Sequence, residues 1–203
     1  AYIVSDVGGN IVCNTSGNWT ITGGSSSSDA NAGITTGFSS GSGDITTTSA
    51  GAISITGGPG TGTNYAGLFT GLGGGSGDIS IDATSISLTG GSNSGANYAY
   101  IQTPVGGGSI ALTTSGGPNL LQGGSVANTV AQSLASGAGN IDFTAGGALS
   151  LLGSTIVGGT NALASISAAN GNIAVDAEAL LTLTGGTQTR TLAQITVGDA
   201  AKT

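Results

Sequence analysis

Apolar residues in this chain fall in short alternating runs, and the runs themselves recur. One copy spans residues 77 to 108 and reads GDISIDATSISLTGGSNSGANYAYIQTPVGGG. Within it Ile79, Ile81, Ile86 and Leu88 alternate with Ser80, Asp82, Ser87 and Thr89. A period of two sends successive side chains to opposite faces, which predicts half-buried strands and not helices. Ile, Val, Thr and Ser within the runs suit a pleated surface, and the Gly pairs between them suit tight bends.

Three columns fix the longer period. The first is Gly, then Asn, Asp or Ser, then Ile, starting at Gly9, Gly43, Gly77, Gly108, Gly139 and Gly171, which are 34, 34, 31, 31 and 32 residues apart. The second is an apolar pair two apart: Trp19/Ile21, Ile53/Ile55, Ile86/Leu88, Leu149/Leu151 and Leu181/Leu183, with Asn119/Leu121 as the weak copy. The third is Ala-x-Ile or a near relative: Ala1/Ile3, Ala32/Ile34, Ala66/Leu68, Ala99/Ile101, Ala164/Ile166 and Ala193/Ile195, degenerate around Ala131 to Leu134. Such a period predicts a solenoid, in which one unit cannot bury its own apolar face and its neighbours do so. The expected fold is all-β, a right-handed parallel β-helix (β-solenoid) of about six rungs of about 32 residues, with three short strands per rung. At the usual inter-strand spacing of about 4.8 Å, six rungs make a core about 30 Å long. Residues 1–203 form one such domain, beginning and ending mid-rung at the same phase, so the ends are expected to stack on copies of the chain or on flanking solenoid of a longer one.

Composition sharpens this picture. The chain has 41 glycines and 5% charged residues, against about 25% in an average domain. The regular apolar pattern argues against disorder. The net charge is −7 with two basic side chains. Nucleic acid, which needs Lys and Arg to replace counterions, is therefore not an expected partner, and neither is an anionic membrane surface. No apolar run approaches the roughly 18 residues of a spanning helix, so no membrane insertion is expected, and residues 1–12 lack the basic start of a signal peptide.

Several local features carry their own expectations. Cys13 falls on the inner face two residues after Ile11, as a small buried hydrophobe, and Trp19 falls at or near the core. Asn14-Thr15-Ser16 and Asn18-Trp19-Thr20 match a glycosylation pattern that an Asn/Ser/Thr-rich chain produces by chance. The polar bends 23–31, 57–64 and 90–97 are expected to project as exposed, flexible loops. Tyr65, Phe69, Tyr98 and Tyr100 cluster after them, and Tyr2 and Tyr100 share an outer position; surface or edge packing is the simpler reading and a ligand platform the alternative. Gly116-Gly117-Pro118 interrupts the fourth second-column strand, predicting a bulge or a missing ladder bond. Asp176, Glu178, Arg190 and Lys202 bring most of the charge diversity to the last rung.

The chain has no His and one Cys. Ser-His-Asp and Cys-His arrangements are impossible, as are His-ligated and Cys-rich metal sites. No Gly-Lys-Ser/Thr phosphate loop occurs. Stacking would set Asp44 and Asp78 one rung apart, within the reach of paired glycosidase carboxyls, whereas Asp82 and Asp176 are three rungs apart and too distant. The Asp44/Asp78 column is an Asn/Asp/Ser bend position, read as a structural ladder that satisfies backbone groups. Gly74-Gly75-Ser76-Gly77-Asp78 approaches a calcium-binding nonapeptide, but its Asp is one place early and the motif does not repeat every nine residues. No catalytic, cofactor-binding or metal residues are assigned, and no enzyme is expected. The outer second-column positions Thr20/Thr22, Ser54/Thr56, Ser87/Thr89, Leu120/Gln122, Ser150/Leu152 and Thr182/Thr184 form the Ser/Thr face an ice binder would use, broken at two rungs.

The columns GNI-x-x-x-A-x-x-x-L-x-L-x-GG and A-x-I, best carried by residues 139–196, resemble the repeats of filamentous-haemagglutinin-like exoproteins and, more loosely, of autotransporter passengers. That resemblance implies a bacterial cell-surface or secreted stalk used in adhesion or fibre formation. The expected function is thus a structural shaft, fibre subunit or adhesin segment. A module binding glycan (on a host surface or matrix) or ice through the outer Ser/Thr/Tyr face is the alternative, and a polysaccharide-acting enzyme the third.

Overall fold

The computed structural model describes residues 1–93, 95–125, 128–154, 161–187 and 189–198. Its described residues contain strands and bends and no helix. The strands form one seven-stranded and two six-stranded sheets, every pairing parallel and every neighbour one repeat away in sequence. The first sheet holds the strands that follow the Gly-x start, from Ile11–Thr15 to Ile173–Ala177. The second runs from Trp19–Thr22 to Leu181–Thr184. The third runs from Tyr2–Ser5 to Leu192–Val197 and includes Ala66–Phe69 and Tyr98–Thr103. This is a parallel β-solenoid of about six turns, three strands to a turn.

Register follows the sequence columns. Ile11, Ile45, Ile79, Ile110, Ile141 and Ile173 stack in one line. The four middle members are fully buried, while the first and last are only half-buried because each lacks a neighbour on one side. Burying each such side chain contributes about 1.5–3 kcal/mol. The same end effect leaves Cys13 and Trp19 packed against the core yet half-buried, where full burial of Cys13 was expected.

Glycine in the first column is required by the closeness of successive rungs. A Cβ built on Gly43, Gly77, Gly108, Gly139 or Gly171 would overlap the carbonyl of the glycine one rung earlier. No side chain fits there without parting the ladder.

The Pro118 rung breaks the ladder at one bond. Elsewhere the amide at this position donates to a carbonyl of the next rung, as Asn119 does to Ala148 at 2.8 Å. Ile86 instead donates to the side-chain Oδ1 of Asn119 at 3.0 Å. Asn119 is buried because its amide group takes the place of a main-chain acceptor. Pairing with the preceding strand accordingly begins at Leu120, and with the following strand at Asn119. In the third sheet, Val130–Ala135 keeps full register despite its degenerate sequence, with Ser133 in the Ile101/Ile166 column. Ser133 is fully buried and its hydroxyl has no hydrogen-bond partner.

The long polar bends do not simply project. Asn64 and Asn97 are fully buried. Asn64 Nδ2 donates to the Ser26 and Gly62 carbonyls, and Asn97 Nδ2 to those of Gly60, Asn93 and Gly95. Gly58, Gly60 and Gly95 sit against the bend one rung earlier with no room for a Cβ. The bends are therefore further stacked layers of the solenoid with exposed tips, correcting the expectation of free loops.

Candidate functional site

Four surfaces come from this geometry: a bend ladder, a Ser/Thr face, an aromatic cleft and the two ends of the stack. The bend ladder contains the carboxylates that catalysis would need. Asn10 Oδ1 accepts the Asp44 amide at 2.9 Å, and Asp44 Oδ1 accepts that of Asp78 at 2.9 Å. Asp78 Oδ1 accepts the Ser109 amide at 2.7 Å, Ser109 Oγ that of Asn140 at 3.2 Å, and Asn140 Oδ1 that of Asn172 at 2.9 Å. Each side chain satisfies the backbone of the next rung, so Asp44 and Asp78 act here as bend acceptors in series with Asn and Ser. Asp82 and Asp176 share a column with Thr113 and Thr144 between them, as the spacing predicts. Among the described residues no three His, Cys, Asp or Glu side chains gather as a metal site. Lys202 lies outside the described residues.

The second sheet presents Thr20/Thr22, Ser54/Thr56, Ser87/Thr89, Leu120/Gln122, Ser150/Leu152 and Thr182/Thr184 in register. Leu120, Gln122 and Leu152 replace the small hydroxyls at two adjacent rungs, so the hydroxyl lattice runs unbroken for three rungs only. Across the C-terminal ends of its strands lies a groove of about 330 Å³, with Thr22, Thr56, Thr89, Gln122, Gly91 and Gly124 in its wall. Asn18, in the second glycosylation match, is engaged through Oδ1 by the Ala52 amide at 3.0 Å.

The aromatic cleft stands on the outer face of the third sheet. Parallel register places Tyr2, Gly33, Gly67 and Tyr100 in one outward column. Neither glycine has room for a Cβ beneath the next strand's carbonyl. The Tyr2 ring lies beside Gly33 and the Phe69 ring beside Gly67. Phe69 is 5% exposed although it points away from the core, because its aromatic neighbours enclose it. Its ring meets Tyr65 at 5.5 Å and 77° and Tyr100 at 6.3 Å and 70°; Tyr100 meets Tyr98 at 5.3 Å and 43°. The Tyr2 hydroxyl donates to the Tyr65 hydroxyl at 2.9 Å. A cleft of about 270 Å³ opens between these rings, bordered also by Thr63, Leu72 and Gln102. Burial pushes the Tyr98 and Tyr100 phenols up, with Tyr98 adding to the Tyr100 effect; burial also raises Tyr2, helped by its bond to Tyr65. The phenols of Tyr2, Tyr98 and Tyr100 therefore stay neutral over the physiological range.

At the two ends the core ladders emerge. Ile3 is 54% exposed where its column neighbour Ile34 is 2% exposed, and Leu181 and Leu183 are 41% and 45% exposed where Leu149 and Leu151 are fully buried. A hollow of about 370 Å³, lined by Ile3, Trp19, Ile21 and Ile34 among others, opens the core at the N-terminal end.

The fold defines a repeat protein of the parallel β-solenoid class. No family model, curated protein or solved structure matches this chain.

Proposed function

We propose that this chain is a shaft segment or fibre subunit of a secreted or cell-surface β-solenoid, stacking end to end. The unbroken parallel stacking of all three sheets, with one aliphatic core running through the stack, supports this reading above all. A solenoid end ordinarily needs a capping unit with a polar outer face, and an uncovered strand edge with apolar side chains invites another strand. A head-to-tail contact that does not close builds a filament. The repeat-level resemblance to filamentous-haemagglutinin-like exoproteins supports the surface location and an adhesive role. The commitment of Asp44 and Asp78 to bend hydrogen bonds supports a structural and not a hydrolytic use of the ladder.

Electron microscopy of the purified chain at neutral pH tests this. Long unbranched fibres with an axial repeat of about 4.8 Å identify the second copy as the continuing partner. Short rods that associate through their ends, and that Leu181→Lys with Leu183→Lys disperses, identify an end normally covered by flanking solenoid. Rods that stay monodisperse without those substitutions would remove the basis for the reading.

A further inference from the structure

All four tyrosines of this chain and one of its three phenylalanines gather on one outward patch of the third sheet. From the geometry of that patch we infer that Tyr65, Phe69, Tyr98 and Tyr100 form a binding cleft for a single neutral sugar ring. The inference does not depend on how the solenoid ends are continued.

Tyr65 and Tyr98 immediately precede Ala66 and Ala99, which pair on adjacent strands. Side chains so placed, about 4.8 Å apart at the backbone, ordinarily stack. Here the ring contacts run instead in an arc, from Tyr65 through Phe69 and Tyr100 to Tyr98. The Tyr2 hydroxyl bonds to Tyr65 at one end of the arc, on the side of the earlier rungs. Phe69, leaning over Gly67, forms part of the wall. The cleft of about 270 Å³ is therefore built by the fold and is large enough for one pyranose.

Its chemistry selects the ligand class. Ligand sites are mostly apolar with a few placed polar groups, and aromatic rings with hydroxyls offer both. The C–H faces of a pyranose pack on aromatic faces, and its hydroxyls need neutral hydrogen-bonding partners. Thr63, Gln102 and the phenols border the cleft and supply them. Gln102 is anchored through Nε2 to Ser136 Oγ at 3.2 Å, which holds its carbonyl oxygen as an acceptor. Among the described residues no charged side chain borders the cleft, and a net charge of −7 with two basic residues disfavours an acidic sugar. Ring planes inclined by 43° to 77° wrap one residue and do not form the flat platform an extended chain would need.

Saturation-transfer NMR on the full chain tests the inference, with methyl mannoside, galactose and N-acetylglucosamine as probes and choline and a proline-rich peptide as competitors. The expected result is transfer to the ring protons of at least one sugar at millimolar affinity, lost on Tyr98→Ala and weakened at least about tenfold by Gln102→Leu. Tyr98 is half-buried on the outer face, so its truncation leaves the core ladders whole; circular dichroism checks this, and Tyr98→Leu serves if the alanine variant misfolds. No transfer to any neutral sugar overturns the inference. So does transfer that survives these variants, or binding of choline or peptide alone, which would mark a cation–π cage or a polyproline groove.

Discussion

Asp44 and Asp78 stand one rung apart, and the Oδ1 of Asp44 accepts the backbone amide of Asp78 at 2.9 Å. Two carboxylates are thus stacked in a position that asks only for a hydrogen-bond acceptor, which Asn10, Asn140 and Ser109 also supply. Like charges so close repel, more so at low salt.

Asp78→Asn keeps the acceptor for Ser109 and removes the repulsion, so it should stabilise the fold by a few tenths of a kcal/mol, about the size of a surface charge pair. The gain should shrink as salt rises. Asp78→Ala removes the acceptor and should cost about 1 kcal/mol. Urea denaturation at low and high salt distinguishes the two, and a salt-independent Asn effect would count against stacked charges.

The first glycine column predicts a sharp contrast between neighbouring alanine substitutions. A Cβ at Gly139 would overlap the Gly108 carbonyl, whereas a Cβ at Gly116 meets nothing within 4 Å. Gly139→Ala should lower stability by more than about 2 kcal/mol or prevent folding. Gly116→Ala should be neutral or stabilise by up to about 1 kcal/mol through the unfolded chain. Thermal melts of both variants check the ordering.

Two buried polar residues in the irregular rung should respond in opposite directions. Ser133 carries an unpartnered hydroxyl inside an aliphatic column, so Ser133→Ala should stabilise the fold by about 1 kcal/mol. Asn119 fills an apolar column too, but its Oδ1 serves the Ile86 amide. Asn119→Leu should therefore destabilise by about 1–3 kcal/mol despite being more hydrophobic, because it strands a buried donor. Urea midpoints of the two variants give the signs directly.

Alkaline pH should loosen the aromatic patch. Unfolded phenols ionise at about pH 10, while burial holds the Tyr98 and Tyr100 phenols protonated beyond that point. Above it the unfolded chain binds fewer protons than the folded one, so stability falls as pH rises. Below it this contribution is fully present and stability should not change with these groups. Tyr100→Phe should flatten the alkaline decline, and phenolate absorbance followed alongside unfolding would show whether ionisation and unfolding coincide.

Much of the architecture was legible because a solenoid repeats its physics at fixed intervals. The Gly-x-Ile starts, the apolar pairs and the Ala-x-Ile ends determined the strand phase, the rung length and which side chains face inward. Even the role of Asp44 and Asp78 followed from their column, since Asn and Ser stand at equivalent places. Tertiary structure decided what repetition cannot encode. Cys13 and Ile3 are less buried than their column neighbours because they stand on the first turns of the stack, a property of position and not of residue type. Asn119 replaces a main-chain acceptor, and Asn64 and Asn97 turn inward to hold bend carbonyls, because each buried amide or carbonyl must find a partner in three dimensions. The aromatic cleft depends on Gly33 and Gly67 in the strands between Tyr2 and Tyr100, and on rings that reach across rungs. Residues about 30 positions apart become neighbours there, and only the folded register fixes the angles between them.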